Sequence, residues 1–376
     1  MTTAPPTASP VGRPQPGSPW RLSARTVVLL VAGTSALLLA ALVAALPVPY
    51  VVFSPGPVRD TLGQAEDGES LIVIDGTETF PTEGRLDLTT IRVAGGPLGR
   101  VTVLDAVQAY VDSSRSLRPV ETVYPPEETR EEAREASTAQ MTAAQQSAAV
   151  SAIKALGEEV PSRLVVRGFA GNPAAEAALA EQDVVTELDG QPLDSSSGLV
   201  EQLQDYAPGD VVDVTVERDG QTVTEPVELA ESDEGAVILG VLISPDYELP
   251  FEVSYDVGGI GGPSAGLMFS LGIYDKLTPG PLTGGEHVAG TGTIDDEGLV
   301  GPIDGIQQKM VGARDVGAAW FLAPADNCGD VVGAVPADLQ VTAVASLDEA
   351  LQALAAIGAD EGTQDLPTCE DVLAAR

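Results

Sequence analysis

The sequence predicts a mixed α/β domain with a compact β-rich unit beside it and one membrane-spanning helix ahead of both. Three observations predict it. Thr26 to Leu46 runs without a charge. Val212, Val214 and Val216 alternate with polar residues ahead of an Asp219-Gly220 turn, the pattern of a half-buried hairpin strand. A glycine-rich stretch, Gly258 to Gly266, opens into the apolar run Leu267 to Tyr274, as a loop that feeds a buried helix would.

Residues 1–25 are proline-rich, carry Arg13, Arg21 and Arg25 and contain no acid; they read as a disordered tail. The 21 residues 26–46 would make a helix of about 31 Å, matching a hydrocarbon core of about 30 Å. Arginines on the first side only place the tail in the cytoplasm and the rest of the chain outside. A cleaved signal peptide is the competing reading, but its apolar region is ordinarily shorter.

From 47 to 126 the pattern is β-rich. Leu71 to Ile74 and Leu86 to Val93 carry β-branched residues between glycine and proline breaks, and Val103 to Ser113 has helical spacing. Residues 127–160 read as a charged helix, its charge run a solvated face. Residues 161–232 form the β-rich unit: strand Leu164–Val166, a short helix 174–180, strand 183–190, helix 199–206 and the hairpin. Residues 233–358 carry the glycine-rich block, and 359–376 are a C-terminal tail.

The composition excludes several functions. Fifty-six acids against 19 basic residues give a net charge of -37, which repels phosphate backbones and argues against nucleic acid. No Gly-Lys-Ser/Thr or Gly-x-Gly-x-x-Gly follows the glycines of the block, so a bound nucleotide is not expected. Two cysteines and one histidine are too few for a metal centre, and no cofactor is expected. Cys328 and Cys369 are even in number and lie on the oxidising side, so a disulfide between them is expected.

Ser264 stands at the start of a helix, where dipole and free N–H groups favour a developing negative charge. Gly262-Pro-Ser-Ala-Gly266 matches the nucleophile elbow of α/β-hydrolases, but that fold needs a downstream acid and histidine. His287 follows by only 23 residues; it is expected to be a surface or loop residue. Another base is required. The chain has three lysines, Lys154, Lys276 and Lys309, and of lysine and arginine only lysine can be made neutral by burial. Lys309 lies in the stretch Ile306 to Arg314, although a capping lysine on a surface helix would read the same from these residues alone.

Two resemblances extend these readings. The order of strands and helices around "DVVTELDGQPL" and "PGDVVDVTVERDG" resembles a bacterial PDZ domain, a fold that holds an extended peptide as an added strand. The resemblance implies a groove between Leu164, Val165, Val166 and the 199–206 helix, with Gly157 to Val160 as the carboxylate-binding loop. "GGPSAG" followed by "TGTIDDEGLVGPIDGIQQKMVGARDVGAAWFLAPADN" resembles the proteolytic domain of Lon proteases. That implies a Ser264–Lys309 catalytic dyad with Thr291 orienting it, polypeptide substrates, and the homo-oligomeric rings common among Lon domains. Anchor, PDZ unit and Lon-like block together resemble the membrane-anchored PDZ–Lon proteases of Gram-positive bacteria (the YlbL-like group). In that arrangement residues 86–113 would begin the protease domain and the PDZ unit would be an insertion. A non-catalytic, membrane-anchored PDZ scaffold is the alternative, and retention of Ser264, Lys309 and Thr291 together argues against it.

Overall fold

The computed structural model describes residues 23–63, 70–126, 128–193, 195–232 and 235–376. Almost all of the expected cytoplasmic tail lies outside them, as does Glu127, where the charged helix was expected to begin.

The apolar run forms a 21-residue helix, Ala24–Ala44, long and apolar enough to cross a membrane by length and composition. It starts two residues earlier than the uncharged run because Ser23 caps it, accepting from Thr26 N, and it stops before Pro47, which has no N–H to continue a helix.

The main domain is built on a six-stranded sheet. Its order is Gln340–Val344, Trp320–Pro324, His287–Gly290, Arg85–Gly95, Tyr50–Asp60 and Ser116–Pro119. The first four strands run parallel and the last two are antiparallel additions. Alternation along the strands sends side chains to opposite faces. Leu86, Leu88, Val288, Leu322 and Val344 pack under the helices Gly266–Leu277 and Leu347–Ala359. Ala289, Phe321, Ala323 and Ala343 pack under Ile306–Asp315 and the short C-terminal helix Cys369–Ala375. The result is three layers around one sheet, drawn from both sides of the intervening β-unit in the sequence.

The helix Arg130–Ala155 departs from its expected role. A capping box of Thr129 and Glu132 starts it, and its first turns are charged and exposed. Its second half is a core element: Met141, Ala144 and Ala148 to Ile153 are buried, and Met141, Ala148, Ala149 and Ala152 belong to the same cluster as the Gly266–Leu277 helix. Ser151 and Ser270 share a buried hydrogen bond of 2.9 Å between the two. Small residues there let the helices approach closely, a signal that the alanines and serines of the sequence carry without naming their partner.

The β-unit has its own core, with Leu164, Val166, Val185, Leu188, Val212, Val214 and Val216 at its centre. Its sheet runs Gln221–Glu228, Val211–Arg218, Val184–Leu188, Ser162–Phe169 and Val241–Tyr247. The Asp219-Gly220 turn has both residues at positive φ, 52° and 74°, as a two-residue hairpin of matching twist requires. The last strand, Val241–Tyr247, lies beyond the 161–232 stretch that the sequence marks out.

A disulfide joins Cys328 to Cys369. It fastens the Cys369–Ala375 helix beside Met310 and Ile306.

Candidate active site

Ser264 sits between the strand Glu252–Tyr255 and the helix Gly266–Leu277. The glycine loop before it is braced by the long helix: Gly262 N donates to Ser137 O at 3.0 Å. A Cβ on Gly261 would stand 2.2 Å from Ser137 Oγ, so a larger residue there would force the Ser137 side chain to turn away. Nothing in the spacing of the sequence points to Ser137.

Thr291 follows the end of the strand His287–Gly290 and is fully buried. Its Oγ1 donates to the Ser264 carbonyl at 2.9 Å, and Gly292 N donates to the same oxygen at 3.0 Å. Leu267 N in turn donates to Gly292 O at 3.1 Å. The Thr291–Gly292 backbone is thus laced to the start of the serine helix, and Ser264 has little freedom to move.

Lys309 occupies the first turns of Ile306–Asp315, with 1% of its surface exposed. Its Nζ lies 2.7 Å from Ser264 Oγ and 2.8 Å from Thr291 Oγ1. Burial brings its pKa down to about 7, opposed by the charge of Asp304. Loss of water disfavours the ammonium, since no carboxylate is bonded to it to repay the cost. Near neutral pH this amine is therefore available as a base. The serine has a half-buried position, the amine a dry one, and the threonine hydroxyl joins them.

His287 is elsewhere engaged. It begins a sheet strand rather than lying in a loop, and its Nε2 is 2.7 Å from the fully buried Asp87. Arg85 binds the same carboxylate at 3.0 Å. The buried Asp87 needs partners, and these two supply them, which corrects the expectation of a surface histidine. The pair resembles half of a triad, but the Ser264 hydroxyl faces Lys309. Among the described residues no group of three or more His, Cys, Asp or Glu is placed to hold a metal.

The strand expected to line a peptide groove has no free edge. Leu164, Val165 and Val166 are buried in a strand whose two edges are both taken, by Val184–Leu188 on one side and Val241–Tyr247 on the other. With backbone groups paired on both sides, this strand accepts no further one. Gly157, in positive φ, closes the C-terminus of the long helix, its N–H donating to Lys154 O at 2.9 Å, and Val160 lies in the connection that follows. The edge of the sheet is Val241–Tyr247, against which the helix Ser196–Leu203 packs. Sequence reasoning missed it because the strand lies outside the unit it completes.

Comparison with known proteins agrees with this division. Residues 157–229 match the PDZ domain family, and residues 258–356 match the Lon protease (S16) C-terminal proteolytic domain. The chain carries a Lon-family proteolytic domain and a PDZ domain. Ser264, Thr291 and Lys309 all fall within the Lon-family stretch. Similar proteins include Lon protease 1 of Sorangium cellulosum, 38% identical over 93 residues, which are 24% of this chain and 11% of that one. Lon protease 1 of Bacillus subtilis is 31% identical over 117 residues, 29% of this chain and 15% of that one. Lon protease of Vibrio parahaemolyticus is 38% identical over 94 residues, 24% and 12% respectively. The chain thus spans only 11 to 15% of the length of these relatives. By structure, the chain is similar to PDZ domains of SdrC-like proteins from Listeria monocytogenes and Listeria innocua. These are 20% and 24% identical, with TM-scores of 0.21 and 0.20; they cover 21% and 22% of this chain and 85% and 92% of theirs.

Proposed function

We propose that the chain is a membrane-anchored serine endopeptidase of the PDZ–Lon type, acting outside the cytoplasm on flexible or unfolded polypeptide segments without nucleotide hydrolysis. The observation that carries this reading is the 2.7 Å approach of a buried amine, Lys309 Nζ, to Ser264 Oγ. In this reading neutral Lys309 takes the Ser264 proton as Oγ attacks the peptide carbonyl. The oxyanion forms near the start of the Gly266–Leu277 helix, where the helix dipole favours negative charge. The Lys309 ammonium then protonates the leaving amine. Water, deprotonated by the same amine, hydrolyses the acyl-enzyme ester and restores the serine.

Two further observations support the compartment. Arg13 and Arg21 precede the apolar Ala24–Ala44 helix and Arg25 lies in its first turn, whereas no basic residue follows it until Arg59, and the sign of that asymmetry puts the domain outside. The Cys328–Cys369 disulfide suits an oxidising environment. The PDZ domain would receive a polypeptide as an added strand on the open edge of Val241–Tyr247, seventeen residues before Ser264.

The test is hydrolysis of an unfolded protein such as casein by the full chain in vesicles. The wild type should cleave, and Ser264→Ala and Lys309→Ala should both lose cleavage while keeping the melting transition. Cleavage that survives either substitution refutes the dyad.

A further inference from the structure

The helix Val103–Val111 presents an unpartnered apolar face. Its packed side is thin: Ala109 is buried with Val52 and Val101, and Ala106 and Leu117 close that small cluster. The opposite side is bare. Leu104 is 50% exposed, Val107 54%, Val111 76% and Tyr110 85%. Leu104, Val107 and Val111 are spaced by three and four, so they form one stripe, and Tyr110 lies beside it. Asp105 and Gln108 occupy the flank. A stripe of this kind in water would be a liability on a chain that is otherwise so heavily acidic.

Its position says what covers it. Val103 N donates to Leu46 O at 3.0 Å, and Pro47–Val48 pairs with Val101–Thr102. The start of this helix is therefore tied to the point where the Ala24–Ala44 helix ends. Leu39, Val43 and Ala44 of that helix share an apolar cleft with Val103, Leu104 and Val107. The stripe is continuous with the surface of the membrane helix, at its outer end. Charge agrees: between Arg92 and Arg118 the sequence has four arginines against two aspartates, within a chain of net charge -37.

We propose that the Val103–Val111 helix lies in the outer interface of the bilayer, with Leu104, Val107, Tyr110 and Val111 among the upper acyl chains and the neighbouring arginines facing anionic headgroups. Short amphipathic helices bind lipid surfaces in this way, and a tyrosine at headgroup depth is the side chain that such a site favours. The inference rests on the membrane anchor proposed above. It gives the protease domain two points of attachment, so the domain cannot swing freely about a single helix. The Ser116–Pro119 strand that follows the helix is an edge of the catalytic sheet, and the height of Ser264 above the membrane is then set by the fold.

The experiment uses the full chain in vesicles of phosphatidylcholine and phosphatidylglycerol, with lipids brominated along the upper acyl chain as quenchers. Two tryptophan reporters are compared with the wild type: Tyr110→Trp for the surface helix and Leu37→Trp for the anchor. Emission added by Tyr110→Trp should be blue-shifted and lose at least half its intensity to brominated lipid. A second variant, Tyr110→Trp with Leu104→Glu and Val107→Glu, should lose that quenching. Quenching of Leu37→Trp without quenching of Tyr110→Trp overturns the surface helix and leaves the anchor standing. Failure of both removes the anchor and this inference together. Blue-shifted Tyr110→Trp emission that ignores brominated lipid and fades on dilution of the protein means that a second copy covers the face, and likewise overturns it.

Discussion

Thr291 donates its hydroxyl to the Ser264 carbonyl at 2.9 Å while accepting from Lys309 Nζ at 2.8 Å. One buried side chain thus holds both the backbone of the proposed nucleophile and the head of the proposed base. Removing only the hydroxyl isolates that effect. Thr291→Val should lower kcat/KM for a peptide substrate about 10- to 100-fold, the rate equivalent of roughly 1.4 to 2.8 kcal/mol in the barrier. Thr291→Ser should recover most of the loss. Equal activity of Val and Ser variants in a peptide assay would remove the positioning role.

The pH profile follows from Lys309. Burial brings its pKa down to about 7, and the base must be neutral. Activity should therefore rise with half-maximum near pH 7 and reach a plateau on the alkaline side. Lys309→Arg should be inactive from pH 6 to 10, because a guanidinium does not deprotonate. The sign for stability is also fixed. The unfolded chain keeps this lysine protonated up to about pH 10.4, so between pH 7 and that value it binds more protons than the native state, and this group makes stability rise with pH. Lys309→Met should accordingly be inactive yet more stable than wild type at pH 7, by on the order of 2 kcal/mol, measured by urea unfolding.

Asp275 sends stability the other way. It is fully buried on the serine helix, accepting from Leu282 N through Oδ1, and Oδ2 has no partner. Desolvation raises its pKa from 3.8 to about 6. The native state then binds more protons than the unfolded chain between those values, so its contribution to stability falls as pH rises from about 4 to 6. Asp275→Asn keeps the Oδ1 acceptor and removes the charge. It should be more stable than wild type at pH 7 by about 3 kcal/mol, and the two should converge near pH 4. An unchanged difference across that range in denaturant titrations would show that the carboxylate is not the cause.

The disulfide closes a loop of 41 residues. By the chain-entropy estimate such a link contributes about 4 kcal/mol. Reduction with a phosphine, or Cys369→Ala, should lower Tm by roughly 10 °C in calorimetry. Because Cys328 and Cys369 pack with Met310 and Ile306, activity at elevated temperature should fall with it.

Legibility in the sequence followed how local each signal was. Ser264 was readable because glycines and a following apolar run define a helix start within nine residues. Lys309 is readable as a candidate because lysine is scarce in this chain, yet its neighbouring residues fit a surface and a buried position equally well. The hairpin at Asp219-Gly220 follows from period-two alternation alone. By contrast, Val241–Tyr247 has no local mark that assigns it to the PDZ sheet, since pairing with Ser162–Phe169 spans more than seventy residues. The expected unit ends at residue 232, so the strand that pairs with Leu164–Val166 is not counted among its strands. The half-buried setting of His287 is hidden for a similar reason: its partner Asp87 is 200 residues away.

What the sequence determined by itself was every choice that backbone propensity and periodic burial make locally: the apolar helix, the strands and turns of the β-unit, and a serine at a helix start. Tertiary structure alone decided which strand is left with an open edge and which helix braces the glycine loop. It also decided that Lys309 Nζ, 45 residues from Ser264, sits beside the serine in a place dry enough to shed its proton. Those outcomes depend on hydrogen-bond pairing and on exclusion of water between distant segments, and neither quantity exists until the segments have met.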